Sequence, residues 1–335
     1  MKIAEASGAY VPPGIENASR RDFLVGGAAA LLLAGCGASG GGEPSGETRT
    51  VRDATGRSVE VPVLPQRIVA LDPNRVISHL VELGVTPVGA TSNLVTVGGD
   101  FSPLYGEEAQ KIENVGVTGS PSLEEVSSLG PDLILHTVGY DDLRVETLSE
   151  IAPTVDYDAA EFSFDLARGL RFIAGIVNRR ERAERIIAEF DSRMERLAPA
   201  LDLAGRTFSL PAIELDQPGF TLYGPQMPLG RIVERLGGEV VPERVGDEVL
   251  EDYILDLSLE RADLVDADFV LASRYFDKTG DADSNFSRVA DSGVWNSVPA
   301  IKRGDVTVLD VQLTTGSYGF IGLGQVLDKL ESELS

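Results

Sequence analysis

The sequence predicts an α/β protein with two lobes, each built on a mainly parallel sheet flanked by helices, bridged by one long helix. Three observations support this fold class. The chain has 335 residues, which exceeds the usual size of a single hydrophobic core. Strand-like apolar runs alternate with amphipathic helical runs, as in parallel sheets that are covered on both faces. Finally, "SLEEVSSLGPDLIL" at Ser122 returns as "SLERADLVDADFVLA" at Ser258, which is a weak internal repeat.

The N-terminal segment, residues 1–36, has the features of an export signal. Paired arginines in "SRRDFL" precede a short apolar stretch at residues 23–34, which is shorter than the roughly 20 residues that a bilayer span needs. The arginine motif resembles a twin-arginine signal, and "LAGC" resembles a lipobox in which Cys36 is lipid-modified and becomes the new N-terminus. The alternative is a buried apolar helix that carries a chance cysteine. We interpret this segment as a lipoprotein signal peptide, with Cys36 as the membrane anchor.

A tether and a first lobe follow the signal segment. Residues 37–48 are rich in Gly, Ser, Pro and Glu, which predicts a flexible tether. The first lobe, residues 49–163, opens with two short strands around a Gly turn in "TVRDATGRSVEVP". The strand-like runs "RIVAL", "PVGA", "NVG", "DLILH" and "PTVDYD" then alternate with helical runs.

A helical segment, residues 164–199, links this lobe to the next one. Apolar residues recur at helical spacing on both sides of "NRRER", which interrupts the apolar stripe. This pattern predicts two helices that meet near Asn178. The second helix would contain about 18 residues and measure ~27 Å, and it lies near the middle of the mature chain. We therefore expect it to join the lobes.

The second lobe, residues 200–335, repeats the alternation. A strand at "TFSLPAI" precedes the helices "PLGRIVERLGG" and "SLERADLV". The strands "DFVLAS" and "DVTVLD" follow, and a C-terminal helix begins near Tyr318. Helices ending in Leu-Gly and strands introduced by Asp occur in both lobes, which supports a common ancestry.

Composition excludes several classes of function. The net charge of −24 comes from 29 basic and 53 acidic residues, and such a surface repels nucleic acid. One cysteine and two histidines exclude an internal disulfide and Cys/His metal clusters of the usual spacing. The motifs of serine hydrolases, P-loop proteins and zinc proteases are absent, so we do not expect an enzyme. A glycosidase-type carboxylate pair is the one enzyme site that spacing leaves open.

An ordered set of stretches resembles a known family. These are "PQRIVAL", "LVELGVTPVGA", "SLEEVSSLGPDLIL", "LSEIAPTV", "RAERIIAEF" and "VWNSVPAIKRGDVTVLD". They resemble the substrate-binding lipoproteins of ABC importers for ferric siderophores, haem and cobalamin. The resemblance implies two α/β lobes bridged by one long helix, with little hinge motion.

The resemblance also implies a function. Such a protein is a monomer without a cofactor, anchored by lipid at the outer face of the cytoplasmic membrane. It captures a ferric siderophore between its lobes and delivers it to an ABC permease dimer, which works with its ATPase subunits. The alternatives are a cobalamin or haem ligand, or a surface receptor with the same fold.

The family docks to its permease through an acidic residue on each lobe. The matching positions here are Glu124 and Glu260, in the repeated Ser-Leu-Glu unit, and Glu125 is a neighbouring competitor. Two carboxylates on equivalent helices suit the identical basic sockets of a two-fold permease. The alternative is that both glutamates only stabilise the first turn of their helices through the helix dipole.

Candidate ligand contacts follow the carboxyl ends of the strands, where ligands meet open α/β sheets. The arginines suit the anionic or oxygen-rich surfaces of ferric siderophores, and the tyrosines offer flat walls with hydroxyl groups. These candidates are Arg75, Asn93, Tyr140, Tyr223, Arg274 and Tyr275. The alternative is that they lie on ordinary solvated loops. Many relatives carry an aromatic residue after the last strand, where this chain has "QLTTGS", so the identity of the ligand stays open.

The histidines and the tryptophan are assigned structural roles. His136 ends a strand, and we expect a neutral, hydrogen-bonded residue without a ligand, although it could point into the cleft. His79 lies within a helix and is expected to be structural. Trp295 in "VWNSVPA" is expected to be a packing anchor rather than a stacking surface.

Overall fold

The computed structural model describes residues 46–72, 74–92, 105–139, 143–162, 164–213, 219–274 and 284–334. Within these ranges the strands form two main sheets, one on each side of a long helix in sequence. The predicted fold class is therefore confirmed. No helix within the described ranges is long and apolar enough to cross a membrane.

The first sheet is parallel apart from one short edge strand. Its strand order is β6-β5-β4-β3-β7-β8, and only β6 runs antiparallel to its neighbour. A separate antiparallel hairpin, β1–β2, precedes it. The elements are β1 (Thr48–Arg52), β2 (Ser58–Pro62), β3 (Ile68–Leu71), α1 (Arg75–Glu82), β4 (Gly89–Ser92), a 3₁₀ helix (Glu107–Lys111), β5 (Glu113–Val117), β6 (Ser120–Pro121), α2 (Leu123–Ser128), β7 (Leu133–Val138), α3 (Val145–Ser149) and β8 (Thr154–Asp158).

Both faces of the first sheet are covered by apolar clusters. Leu133 and Leu135 of β7 belong to a cluster that includes residues of α1 and of the two longer helices that come after the first sheet in the chain. Ile134, between them, packs on the other face with Leu148 of α3 and Val126 of α2. Because successive side chains of a strand point to opposite faces, a continuous apolar run is what a strand covered on both sides requires.

Three helices follow the first sheet: α4 (Ala159–Phe162), α5 (Leu166–Ile176) and α6 (Arg180–Leu201). Asn178 lies between α5 and α6 with a left-handed φ of 57°, so the helical path breaks where "NRRER" predicted it. With 22 residues, α6 is ~33 Å long. It contributes Ile187 to the core of the first lobe and Met194 to the core of the second. The prediction of a long bridging helix is confirmed.

The second lobe contains a mixed sheet, a small hairpin and helices on both faces. Strand β16 runs parallel to β9, β10 and β17, whereas β11 and β10 are antiparallel, as are β15 and β11. The elements are β9 (Thr207–Ser209), β10 (Pro211–Ile213), β11 (Gly219–Tyr223), α7 (Pro228–Arg235), β12 (Glu239–Val240), β13 (Arg244–Val245), β14 (Glu248–Val249), β15 (Tyr253–Ser258), a 3₁₀ helix (Leu259–Val265), β16 (Phe269–Arg274), α8 (Ser284–Ala290), a 3₁₀ helix (Trp295–Ser297), α9 (Pro299–Arg303), β17 (Val306–Asp310), α10 (Val311–Thr314) and α11 (Gly319–Leu334).

Two elements of the second lobe differ from the predicted ones. The expected strand "TFSLPAI" is divided at Leu210 into β9 and β10, because Pro211 has no N–H for a continuous ladder and restrains the residue before it. The expected helix "SLERADLV" is a 3₁₀ helix with non-helical dihedrals at Arg261.

The repeated unit has the same structural role in both lobes. Asp132 precedes β7, and its carboxylate accepts the backbone N–H groups of Gln66 at 2.7 Å and Arg67 at 2.9 Å. Asp268 precedes β16, and its carboxylate accepts the N–H of Thr207 at 3.0 Å. Each aspartate thus holds the start of the neighbouring parallel strand. These hydrogen bonds explain why an aspartate precedes the strand in both copies of the repeat.

Candidate ligand site between the lobes

The two candidate ligand arginines lie at the carboxyl ends of parallel strands, one in each lobe. Arg75 is the first residue of α1 and follows β3, and Arg274 is the last residue of β16. Both are half-buried. A cation at a helix N-terminus is disfavoured by the helix dipole, so Arg75 does not stabilise its own helix. A ligand-binding role for Arg75 stays a prediction from the sequence.

Asp72 shapes the turn that presents Arg75. Its buried carboxylate accepts the backbone N–H of Asn74 at 2.7 Å and the hydroxyl of Thr137 at 2.8 Å. The first bond fixes the turn between β3 and α1, and the second ties that turn to β7. Asp72 therefore holds Arg75 at a defined place on the edge of the sheet.

Arg274 has an aromatic and an acidic neighbour. Its guanidinium carbon lies 5.9 Å from the ring centroid of Phe286, within the range of a cation–π contact. Asp310 is its register partner on β17 and accepts the N–H of Gln312 at 2.8 Å. Burial raises the pKa of Asp310, and the Gln312 N–H and the Arg274 charge oppose this effect. The local charge around Arg274 thus depends on pH.

Equivalent hydroxyl groups occupy the penultimate positions of β7 and β16. Thr137 donates to Asp72, and Ser273 donates to the hydroxyl of Thr314 at 2.9 Å. Both side chains are buried. Each hydroxyl connects its strand to a segment that follows a neighbouring parallel strand. The internal repeat therefore extends to the carboxyl edge.

A pair of tyrosines brings the carboxyl edges of the two sheets together. Tyr105 in the first lobe donates its hydroxyl proton to the carbonyl of Asn74 at 3.1 Å. Its ring packs edge-on against Tyr318, with centroids 5.5 Å apart, and Tyr318 follows α10 in the second lobe. Burial raises the pKa of Tyr105 well above its usual range, so it stays protonated and can donate. The segment that carries Arg75 thus lies against the segment that follows β17.

Tyr223 does not lie on a loop, which corrects the expectation for this residue. It ends β11, which runs antiparallel to β10, and its N–H bonds to the carbonyl of Leu210 at 3.0 Å. This position is close to the amino end of β10 rather than its carboxyl end. The ring is 6% exposed and belongs to the apolar core of the second lobe. The burial favours packing, and a ligand contact by Tyr223 stays an untested prediction.

Four other predicted positions lie outside the described residues. They are Cys36, Asn93, Tyr140 and Tyr275. Their proposed roles remain predictions from the sequence.

The burial and packing expected for the histidines and the tryptophan agree with the structure, whereas the neutral state of His136 and its lack of a ligand contact stay predictions. His136 is 5% exposed, and its Nδ1 lies 2.8 Å from Asp156 Oδ1. His79 is fully buried, with Nδ1 3.3 Å from a carboxylate oxygen of Glu82. Trp295 is buried in the core of the second lobe. The described residues contain no cluster of His, Cys, Asp and Glu side chains that could hold a metal ion.

Glu124 and Glu260 occupy equivalent exposed positions. Ser122 caps α2 by accepting the N–H of Glu125, and Ser258 caps its 3₁₀ helix by accepting the N–H of Glu260, both at 3.3 Å. Each turn leads back to the aspartate that begins the next parallel strand. Both glutamates therefore lie near the start of the connection that leads to this strand.

The contributions of Asp72, Asp310 and the Tyr105–Tyr318 pair were not anticipated. The two aspartates had a signal in the sequence, because Asp72 directly follows a strand run, Asp310 ends one, and each precedes a helix. Asp is common at such helix starts, so the signal also fits a purely local role. The tyrosine pair joins residues far apart in the chain, and no local pattern predicts it.

Comparison with known proteins agrees with this architecture. The chain is 27% identical over 315 residues to the probable siderophore-binding lipoprotein YfiY of Bacillus subtilis (strain 168), covering 91% of this chain and 94% of that protein. It is 31% identical over 137 residues to the vitamin B12-binding protein of Pectobacterium carotovorum subsp. carotovorum (strain PC1), covering 40% and 46%.

A solved structure shows the same fold. The crystal structure of Staphylococcus aureus SirA complexed with staphyloferrin B matches with a TM-score of 0.67 at 23% identity, covering 86% of this chain and 98% of that one. The sequence profile described as periplasmic binding protein matches residues 68–313. This match runs from the first strand of the first sheet to the helix after the last strand of the second. The chain belongs to the periplasmic binding protein family.

Proposed function

We propose that the protein is an extracytoplasmic substrate-binding lipoprotein that captures a ferric siderophore between its lobes and delivers it to an ABC permease. The observation that carries this proposal is the pair Arg75 and Arg274, one at the carboxyl edge of each sheet. Guanidinium groups form charge-assisted hydrogen bonds with carboxylate, catecholate and carbonyl oxygens. The protein acts as a binding protein, not as an enzyme, and the iron chelate is its cargo.

The similarity to YfiY supports a siderophore over other cargo, because it extends over 91% of this chain. The complex of SirA with staphyloferrin B supplies a precedent for such a ligand in this fold. Cobalamin is the second candidate, favoured by the shorter similarity to a vitamin B12-binding protein. Haem is a third ligand that the same importer class takes.

The delivery step is assigned to Glu124 and Glu260. Their exposure and their equivalent positions in the two lobes support docking to a two-fold permease with basic sockets. Cys36 is assigned to the lipid anchor, and residues 37–48 to the tether that lets the lobes reach the permease. In this proposal the protein works as a monomer at the outer face of the cytoplasmic membrane.

The proposal is tested by measuring ligand binding to the full chain. The panel contains ferric staphyloferrin B, ferric citrate, ferric desferrioxamine, a ferric tris-catecholate, haem and cobalamin. Quenching of the intrinsic tyrosine and tryptophan fluorescence reports binding, and native mass spectrometry identifies the bound species. We expect a ferric chelate to bind best. Binding of cobalamin alone would favour the second candidate, and binding of none would contradict the proposal.

Arginine variants assign the site. Loss of a charge-assisted hydrogen bond costs about 1.5–3 kcal/mol, so we expect Arg75→Ala and Arg274→Ala each to weaken binding roughly 10- to 150-fold. Arg52→Ala is the matched control, because it removes one positive charge from an exposed position on the hairpin of the first lobe. Unchanged affinity in the Arg75/Arg274 double variant would exclude both residues from the site.

A further inference from the structure

A buried carboxylate connects the first lobe to the start of the helix α11 in the second. Glu82, the last residue of α1, is 5% exposed. Its Oε1 accepts the backbone N–H of Ile321 at 2.8 Å. Ile321 is the third residue of α11, where N–H groups have no partner within the helix. The carboxylate therefore satisfies a donor of the other lobe and lies at the positive end of its helix dipole.

The surroundings of Glu82 hold this carboxylate in one orientation. Its Oε2 lies 3.3 Å from Nδ1 of His79, which is fully buried on the same helix. The backbone carbonyl of Glu82 accepts the Nε–H of Arg182 in α6 at 2.6 Å. The end of α1 is thus bonded both to the bridging helix and to α11.

The close approach of α11 depends on a glycine. A Cβ atom at Gly319 would lie 2.7 Å and 2.9 Å from the two carboxylate oxygens of Glu82 and 2.5 Å from the hydroxyl of Ser78. Gly319 also has a left-handed φ of 58°, which favours glycine. Any other residue would push the helix start away from Glu82. Both chain segments are therefore shaped for this one contact.

The same helix carries a candidate ligand residue at its other end. Arg75 and Glu82 are the first and last residues of α1, ~10 Å apart along the axis. A helix of this length moves as a rigid unit. A shift of the Glu82 end of α1 relative to α11 therefore changes the distance between Arg75 and Arg274.

We propose that Glu82 is a positioning residue that fixes the arrangement of the two lobes and thereby the separation of Arg75 and Arg274. It does not contact the ligand. Its role is to keep the binding edges preorganised, so that ligand binding does not have to order the lobes. This inference rests on the proposed function only for its effect on affinity.

The first measurement is made without ligand. It therefore tests whether Glu82 fixes the arrangement of the lobes, even if the proposed function fails. Spin labels are placed on cysteines in Glu150→Cys in the first lobe and Glu248→Cys in the second, both exposed. The full chain also carries Cys36→Ser, because Cys36 is its only cysteine. We expect a narrow distance distribution in the parent and a shifted or broadened one after Glu82→Ala. Glu181→Ala, at an exposed position of α6, should leave it unchanged.

The conservative variant separates positioning from packing. Glu82→Gln keeps an oxygen that can accept the Ile321 N–H, so we expect this variant to retain the narrow distribution of spin-label distances. The second measurement is the affinity for the ferric chelate that binds best in the panel above. We expect Glu82→Ala to weaken it about 2- to 30-fold, and Glu82→Gln to weaken it less.

An unchanged distance distribution in a cooperatively melting Glu82→Ala variant would overturn the proposal. If Glu82→Ala does not fold, Gly319→Ala provides the test. Its Cβ would displace the carboxylate of Glu82 without removing that side chain. A distribution identical to the parent in that variant would also overturn the proposal. A shifted distribution of spin-label distances with unchanged affinity would show that Glu82 fixes the arrangement of the lobes. It would contradict the effect of Glu82 on ligand binding.

Discussion

At the level of single residues, a neighbouring aspartate, Asp310, moderates the charge of the candidate ligand residue Arg274. Arg274 has Asp310 as its register partner. A site made only of arginines would bind any anion, so neighbouring carboxylates reduce non-specific binding and leave selectivity to the geometry of the ligand.

Asp310 predicts a pH dependence. Its raised pKa means that it takes up a proton at higher pH than an ordinary aspartate. As pH falls, this carboxylate is neutralised and Arg274 attracts an anionic chelate more strongly. We expect Asp310→Asn to bind such a chelate up to about fivefold more tightly at pH 7, with a weaker pH dependence. Titrating both proteins with the same chelate between pH 4 and 7.5 cancels the ionisation of the chelate itself.

The same variant has a stability consequence. Because folding raises the pKa of Asp310, the contribution of this group is present at low pH and is lost as pH rises through the folded pKa. Asp310→Asn should therefore be at least as stable as wild type at pH 7 in urea unfolding. In the binding titration, affinities that change with pH in the same way for wild type and Asp310→Asn would show that Asp310 does not influence Arg274.

At the level of elements, the repeated aspartates predict a shared effect on the sheets. Asp132→Ala removes two hydrogen bonds to a carboxylate, and we expect it to lower the free energy of unfolding by about 1.5–3 kcal/mol. Asp268→Ala should cost less, because its carboxylate is 41% exposed. Asp247→Ala, on the exposed β13–β14 turn, is the control and should change little.

The contribution of Asp268 has a defined pH window. The backbone N–H of Thr207 is the main cause of its lowered pKa. Its stabilisation is therefore present above the ordinary aspartate pKa and is lost as pH falls through the lower folded value, below about pH 4. The difference between wild type and Asp268→Ala in urea unfolding should shrink there. A constant difference from pH 7 to pH 3 would contradict this assignment.

The elements that the sequence predicted correctly are those whose burial pattern is local. The apolar spacing of α6 and the continuous apolar run of β7 each identify one element. Strand β11 was missed because "PGFTLYGP" has loop-like ends, and its extended form depends on pairing with β10 and β15. The predicted loop position of Tyr223 was wrong for the same reason, because Tyr223 ends β11. Tertiary pairing, rather than local preference, decides such short segments.

The candidate site was predictable only in part. The rule that ligands meet the carboxyl ends of strands led directly to Arg75 and Arg274. The contacts that hold them, from Asp72 and from Tyr105 on Tyr318, join different strands or lobes. Such contacts depend on the completed fold, and no spacing in the chain encodes them.

At the level of the whole molecule, Glu124 and Glu260 predict a defect confined to delivery. An exposed glutamate in a first turn contributes only ~0.3–1 kcal/mol to its helix, so folding and ligand binding should survive Glu124→Lys and Glu260→Lys. A lysine that faces a basic socket replaces attraction by repulsion. We expect each variant to slow the uptake of iron-55 chelate by cells, and the double variant to slow it further.

Glu125→Lys is the matched control, since it makes the same charge change at an exposed neighbouring position. It should reduce uptake less than Glu124→Lys. Normal uptake by the Glu124/Glu260 double variant at native expression would mean that the repeat reflects only the shared ancestry of the lobes.

The anchor is tested by cell fractionation. The lipobox-like "LAGC" and the tether that follows it predict that Cys36→Ser abolishes lipid attachment. We expect the variant to leave the membrane fraction while keeping its affinity for the ferric chelate. Full retention in the membrane fraction would contradict the assignment of Cys36.

The contact between Glu82 and Ile321 spans 239 residues of the chain, which affects the order of events during synthesis. Among the residues that the structure describes, the first sheet contains no strand beyond Asp158, so it can assemble while most of the second lobe is still being made. Until α11 emerges, the carboxylate of Glu82 remains in water and costs nothing. A chain that ended before Gly319 would leave the carboxylate of Glu82 without this backbone donor. The contact between the lobes is therefore complete only after the last helix has been synthesised.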